Sequence, residues 1–457
     1  MKVAVIGGGW AGLTAALALR DAGLARVTVF EAGQGPGGRA RRIEHPGFPA
    51  GLDNGQHILL GAYHDTQALI TRLRRDAPER PLVRYPLHLE SLDGSFKLRA
   101  PPHLPAPLHM LLALAGARGL SLAARWQAVR LMLTLQRWRW QVPADWSVEQ
   151  LLKRLRQGPA LRQRLWHPLC LAAMNTPVHA ASAALFVRVL RDGLAGSRQA
   201  SDLLFPACDL GALWPDAAVQ QLDWRPGVPI RNIHALASGW RIGPDMPAGS
   251  ATATPEDDTY DAVILAVPPP QAARLLQGLP DAPGAGALLQ ALHAFEFEAI
   301  ATLNLRLAAA WRLPFPMMQL DDQHGLQPGH WIFDRAMLTG RSECGEISIV
   351  GSVAGPYLAR GRDALAQAMD AQWRAQWQAR TARAVTQPPP PDTCARALIV
   401  EKRATFAARP GLFRPGATSP WPRLYLAGDW TDTGYPGVLE GAVRSGQEAA
   451  RRLLGNR

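Results

Sequence analysis

The sequence predicts an α/β fold, a Rossmann-like nucleotide-binding domain joined to a second, α+β domain. Three observations point there. Gly7-Gly8-Gly9-Trp10-Ala11-Gly12 spells GxGxxG between an apolar strand, Val3 to Ile6, and an Ala/Leu-rich helix, Leu13 to Ala22. A second apolar run, Arg26 to Phe30, ends at the acidic Glu31. A third, Tyr260 to Val267, is stopped by prolines and reads as an interior parallel strand that extends the same sheet.

Each residue of the first motif has a physical task. Gly7 makes the tight turn, Gly9 lets the backbone approach a pyrophosphate, and Gly12 allows the helix to pack closely, with Trp10 and Ala11 between them. The helix start then offers amide donors and the positive end of a dipole. Glu31 sits where a carboxylate binds a ribose hydroxyl pair. Residues 1–95, 205–275 and 395–457 are therefore assigned to a discontinuous nucleotide-binding domain. Residues 96–204 and 276–394, rich in Leu, Ala, Trp and Arg, make the second domain, helical first and mixed later. Gln387 to Pro391, QPPPP, marks a turn or linker back toward the first domain.

Composition narrows the function classes. The chain has 457 residues, enough for two compact regions, and a net charge of +12 that is spread along it rather than gathered in a tail. That distribution argues against nucleic acid and leaves anionic lipid or a cofactor pyrophosphate as uses for the charge. Its four cysteines, Cys170, Cys208, Cys344 and Cys394, are scattered without a CxxC pair, so neither a disulfide framework nor a metal site is expected. The N-terminal run is too short for a signal peptide, and the expected location is the cytoplasm, peripheral to the membrane at most.

Gly37-Gly38-Arg39 follows Glu31 at the spacing of the amine oxidase and carotenoid desaturase flavoproteins, which the chain resembles. The resemblance implies FAD as cofactor. It implies contacts from Ala32 and Gly38, from Arg39 to the diphosphate or ribityl chain, and from Asn54 and Gly55. Leu424 to Asp429 is a strand ending in Gly428-Asp429, and Asp429 inherits a hydrogen bond to the sugar-alcohol chain. Gly437, Val438 and Leu439 open a helix aimed at the flavin ring, and Trp224 to Val228 resembles the segment whose valine, here Val228, contacts adenine.

In amine oxidases a tyrosine of an aromatic cage usually stands where this chain has Val438, which argues against an amine substrate. Asp53 to Tyr63, Pro168 to Thr176 and Ala427 to Gly441 resemble instead the squalene-associated FAD enzymes, the hydroxysqualene dehydroxylases. That likeness implies reductive replacement of an allylic hydroxyl of hydroxysqualene by hydrogen. The alternatives are a carotenoid-type desaturase and a non-catalytic FAD-binding isoprenoid carrier.

Loss of the hydroxyl needs a proton donor. His57 is the first candidate for acid or polariser, with Gln56 to orient it, and Asn175 and Asp202 form a second tier. Trp126, Trp138 and Trp140 are candidates to line a long apolar cavity. Residues 103–140 alternate apolar runs with Arg and Trp, the pattern of a helix that lies on a membrane. No second dinucleotide fingerprint follows another strand, so the electron donor is unknown.

Overall fold

The computed structural model describes residues 1–75, 80–243, 258–341, 343–383 and 388–455. Its organising element is a five-stranded parallel sheet in the order Asp223–Arg225, Arg26–Phe30, Lys2–Ile6, Ala262–Leu265, Leu424–Leu426. The two central strands, KVAVI and AVIL, are buried on both faces, which is why they read as continuous β-branched runs rather than alternating ones. The helices Trp10–Asp21 and Leu439–Gly455 pack side by side against it. The first begins at Trp10, three residues before the sequence signal, because the glycine turn itself leads into the helix.

A second sheet, antiparallel, runs Met317–Gln319, Trp331–Asp334, Gly345–Gly351, Phe297–Leu307, Thr393–Phe406. Its side chains alternate with the pleat. Ile332, Ile347 and Ile349 belong to one core, while Met317, Trp331, Phe333 and Val350 belong to the core on the other face. The first face is covered by the helix Arg362–Arg383, which presents Leu365, Met369, Trp373 and Trp377 at four-residue spacing. Trp311 closes that layer, edge-on to Trp377 with ring centroids 4.7 Å apart. Burying each such aromatic stabilises the layer by roughly 2–3 kcal/mol. The other face is left for a cavity.

One boundary shifts. Thr393–Phe406, counted from sequence with the nucleotide-binding segments from residue 395 onward, pairs with Phe297–Leu307 in the second sheet instead. The prolines Pro388 to Pro391 therefore lead into this long strand rather than back to the first domain; Gln387 lies outside the described residues. Alternation along TCARALIVEKRATF is weak, so pairing with an eleven-residue neighbour decides its place.

Five helices contribute to the core that the cavity face of the second sheet joins: Leu108–Ala115, Leu122–Arg137, Val148–Arg154, His167–Met174 and Ala183–Leu194. A charged contact locks the last helix of the chain to an early one. Glu440 is fully buried and accepts from the backbone amides of Asp65 (3.3 Å) and Thr66 (3.0 Å), at the start of His64–Leu73, and from Arg444 Nε at 3.0 Å. Its carboxylate thus caps a helix that has no side-chain cap of its own.

Glu440→Ala leaves those amides and part of the Arg444 charge uncompensated. Denaturant unfolding is expected to show a loss of about 3 kcal/mol. Glu448→Ala, which removes only exposed pairs with Arg451 and Arg452 on the same helix, is expected to leave the midpoint unchanged. Equal midpoints for the two variants would contradict this reading of Glu440.

Candidate active site

At the carboxyl ends of the parallel strands a cavity of about 1070 Å³ opens, the place where doubly wound sheets bind their ligands. It continues between Leu169–Asn175, Phe186–Leu194 and the free face of the second sheet. One end is built of backbone. Gly7 has φ +111°, and a Cβ there would stand 2.4 Å from the carbonyl oxygen of Ala266. Gly9 and Gly38 face each other across the cavity wall. Gly12 does not reach the cavity; it lies behind the turn, where a Cβ would meet the Gly7 carbonyl oxygen at 2.0 Å. The helix starting at Trp10 has no side-chain cap and no acidic residue in its first turn, which leaves its positive end open to an anion.

Around this turn the sequence-predicted residues converge. Trp10, Ala11, Glu31, Ala32, Arg39, Asn54, Gly55, Val228, Gly428 and Asp429 all line the cavity. Glu31 is held by two amides at 2.7 Å, those of Gly8 and Gly33. Its own carbonyl accepts from Val228 N at 2.9 Å, so the part of Val228 left for an adenine is not its amide. Arg39 Nη2 donates to Asp429 Oδ1 at 2.5 Å and its Nη1 to the Ala404 carbonyl at 2.8 Å. This ion pair joins residues 390 apart in the chain and closes the cradle across its middle. Asn54 Nδ2 ties the Arg39 carbonyl to Glu401.

Sequence reasoning missed three cationic side chains on the same wall, Arg41, Arg231 and Arg274. Arg41, two residues beyond Arg39, was the one with a local signal. An uncapped helix, a side-chain-free turn and these cations suit the diphosphate of a dinucleotide. Gly437, Val438 and Leu439 complete the wall at the start of the helix Leu439–Gly455, whose acidic Glu440 is turned away toward Asp65 and Thr66.

The other end is hydrocarbon. Leu169, Leu190, Leu203, Met317, Phe333 and Val350 line it. Trp126, Trp138 and Trp140 do not: Trp126, 64% exposed, and Trp138 point to solvent, and Trp140 packs half-buried against the core outside the cavity. Asp202 is also absent from the cavity. It is buried between Arg84 at 3.1 Å and Arg198 at 3.3 Å, a structural ion pair at the foot of the strand Leu203–Pro206. Asn175 lines the cavity, but its amide is spent. It caps the helix His167–Met174 with φ +44°, donates to the Glu298 carbonyl and Thr405 Oγ1, and accepts from Val353 N at 2.8 Å.

His57 sits part-buried on the cavity wall. Its Nδ1 is 2.7 Å from the Gly55 carbonyl oxygen, which can only accept, so Nδ1 carries the proton. Burial first, and the charge of Arg39 beside the Gly55 bond, hold the ring below the ordinary imidazole range despite that bond. The imidazole is neutral and Nε2 is an acceptor. Of the two roles expected for His57, acid or polariser, this state suits the polariser, and it is Gly55 rather than Gln56 that orients the ring. Gln56 Nε2 reaches only the His57 carbonyl, at 3.5 Å. A second polar group on the wall is Tyr63, whose phenol is pushed up by burial, then by Glu440 and Tyr435, and stays protonated.

Comparison with known proteins gives the family and the fold. The model of the flavin containing amine oxidoreductase family matches residues 10–454. The hydroxysqualene dehydroxylase of Rhodopseudomonas palustris is 32% identical over 99% of this chain and 98% of its own. That of Sinorhizobium fredii is 29% identical over the same shares. A structure of putrescine oxidase superposes with a TM-score of 0.70 at 17% identity, covering 100% of this chain and 99% of the other, and so shares the fold. The chain belongs to the flavin containing amine oxidoreductase family and, within it, groups with the hydroxysqualene dehydroxylases.

Proposed function

We propose that the chain is an FAD-dependent oxidoreductase that removes the allylic hydroxyl of hydroxysqualene to give squalene. The observation that carries the reading is the single cavity, a dinucleotide cradle at one end and a hydrocarbon wall at the other. End-to-end likeness to dehydroxylases supports it. When bound and reduced, FAD supplies hydride. Gly7, Gly9, Gly38 and the helix start at Trp10 would hold its diphosphate, Glu31 its ribose, and Asp429 with Arg39 its sugar-alcohol chain.

The chain's own residues do the rest. The apolar wall excludes water, which protects a delocalised allylic cation from capture. His57 Nε2 accepts a hydrogen bond from the substrate hydroxyl and fixes the carbinol carbon. Tyr63, on the same wall, offers a phenol that can hydrogen-bond the departing oxygen without giving up its proton. The C–O bond breaks, the oxygen leaves as hydroxide and takes a proton from solvent to become water, and hydride takes its place on the carbon. The electrons come from an external reductant.

The direct test is anaerobic. Protein reduced with dithionite and given hydroxysqualene is expected to regain oxidised-flavin absorbance with stoichiometric squalene, identified by mass spectrometry. No reoxidation, together with bleaching of the oxidised protein by a more saturated polyprene, would make it a desaturase.

His57→Ala is expected to keep FAD and lower kcat/KM about ten-fold, the cost of one lost hydrogen bond to a buried polar group. Because the folded ring titrates below its ordinary value, kcat/KM in the parent should stay flat as pH falls through about 6.5. An activity limb at the ordinary imidazole value, absent in His57→Gln, would show that a protonated His57 is required.

A further inference from the structure

The helices Leu108–Ala115 and Leu122–Arg137 are apolar on the side that faces away from the protein. Leu131, Leu135, Ala124 and Ala128 of the longer helix are buried, as its inward stripe requires. Yet Leu122, Trp126 and Leu133, at spacings of four and seven residues, form a second stripe that is 79%, 64% and 50% exposed. Leu108 and Leu112 on the neighbouring helix and Trp138 just beyond extend it. Among the described residues, ten large hydrophobic side chains are exposed, and six of them lie in this one patch. Scattered exposed leucines need no explanation; a contiguous patch does.

Charge says what covers it. Residues 94–144 contain seven Lys and Arg and no Asp or Glu. Arg118, Arg130, Arg137 and Arg139 are exposed around the stripe, and among the described residues none of them pairs with a carboxylate. Apolar side chains framed by guanidinium groups that have no carboxylate partner complement a hydrocarbon layer beneath anionic headgroups. No helix of the described residues is long and apolar enough to cross a membrane, so the surface would lie on a bilayer rather than span it.

Behind the patch the structure leads inward. Met110, Leu114 and Met132, on the inner sides of the same two helices, line a small, wholly apolar pocket. Its far wall is Leu87, Leu89, Leu169 and Leu194, which also line the hydrocarbon end of the main cavity.

We propose that the Leu108–Trp138 face docks on an anionic lipid bilayer and that a polyprenyl substrate passes from the membrane between these helices into the cavity. The docking surface stands on its own observations; the identity of what passes rests on the proposed function.

Holoprotein is sedimented with vesicles of phosphatidylcholine alone and of phosphatidylcholine with phosphatidylglycerol, at moderate salt. Binding is expected to the anionic vesicles, with quenching of Trp126 and Trp138 fluorescence by lipids brominated on their acyl chains. The double variant Leu122→Ser, Trp126→Ser, and separately Arg130→Gln, Arg137→Gln, should each weaken binding about ten-fold or more. Both should keep the parent kcat on detergent-dispersed substrate and raise KM for substrate carried in vesicles. No vesicle binding, binding unchanged in both variants, or retention of RNA in place of vesicles would overturn the proposal. Vesicle binding without turnover of hydroxysqualene in detergent would instead count against the proposed reaction and leave the docking surface standing.

Discussion

The space beside Gly7, Gly9 and Gly38 is the constraint around which the molecule is arranged. Backbone from two turns comes together there so closely that a Cβ at Gly7 would meet the Ala266 carbonyl. A phosphate can be approached by amides only where side chains are absent, and that requirement fixes the first strand, the first helix and their neighbour at Ala262–Leu265. Arg39 and Asp429 then tie the two ends of the chain across the same space. Asp429 lies between the strand Leu424–Leu426 and the helix Leu439–Gly455, so the ion pair ties the chain's last segment to its first.

From that cradle the second sheet follows by pleat. Alternate residues of Trp331–Asp334 and Gly345–Gly351 serve different masters: Ile332, Ile347 and Ile349 anchor the sheet to the tryptophan-rich helix behind it, while Trp331, Phe333 and Val350 face the cavity. The same strands therefore provide both stability and a water-poor wall. Polar residues at that wall are held by the backbone. Asn175 is committed to Glu298, Thr405 and Val353, and His57 Nδ1 to Gly55, which leaves His57 Nε2 as the ring nitrogen with capacity toward a substrate.

How much of this was legible in the sequence follows from the range of the interactions. The turn of the cradle is local: glycines, a strand and a helix start in one stretch specify it, with Glu31 on its wall as the motif's spacing predicts and Arg39 and Asp429 on its wall as the resemblance implies. Asp202 was misplaced because the residues that claim it, Arg84 and Arg198, include one 118 positions away. The tryptophans at 126 and 138 looked like cavity lining because an apolar stripe does not state which of two faces is inside. Only the buried Leu131 and Leu135 settle that. Likewise, Thr393–Phe406 carries too little alternation to name its partner, and register with Phe297–Leu307 decides it. The protonation state of His57 depends on a carbonyl two residues away and on burial, neither of which a motif encodes.

The central claim is that one cavity brings a hydride donor to a single carbon of a polyprenyl alcohol. It is tested most directly by isotope: the reduced protein is equilibrated in heavy water, where the transferable flavin hydrogen exchanges, and given unlabelled hydroxysqualene. Squalene with one deuterium, at the carbon that bore the hydroxyl, is the expected product. Squalene without deuterium, or with deuterium distributed along the chain, would contradict the claim.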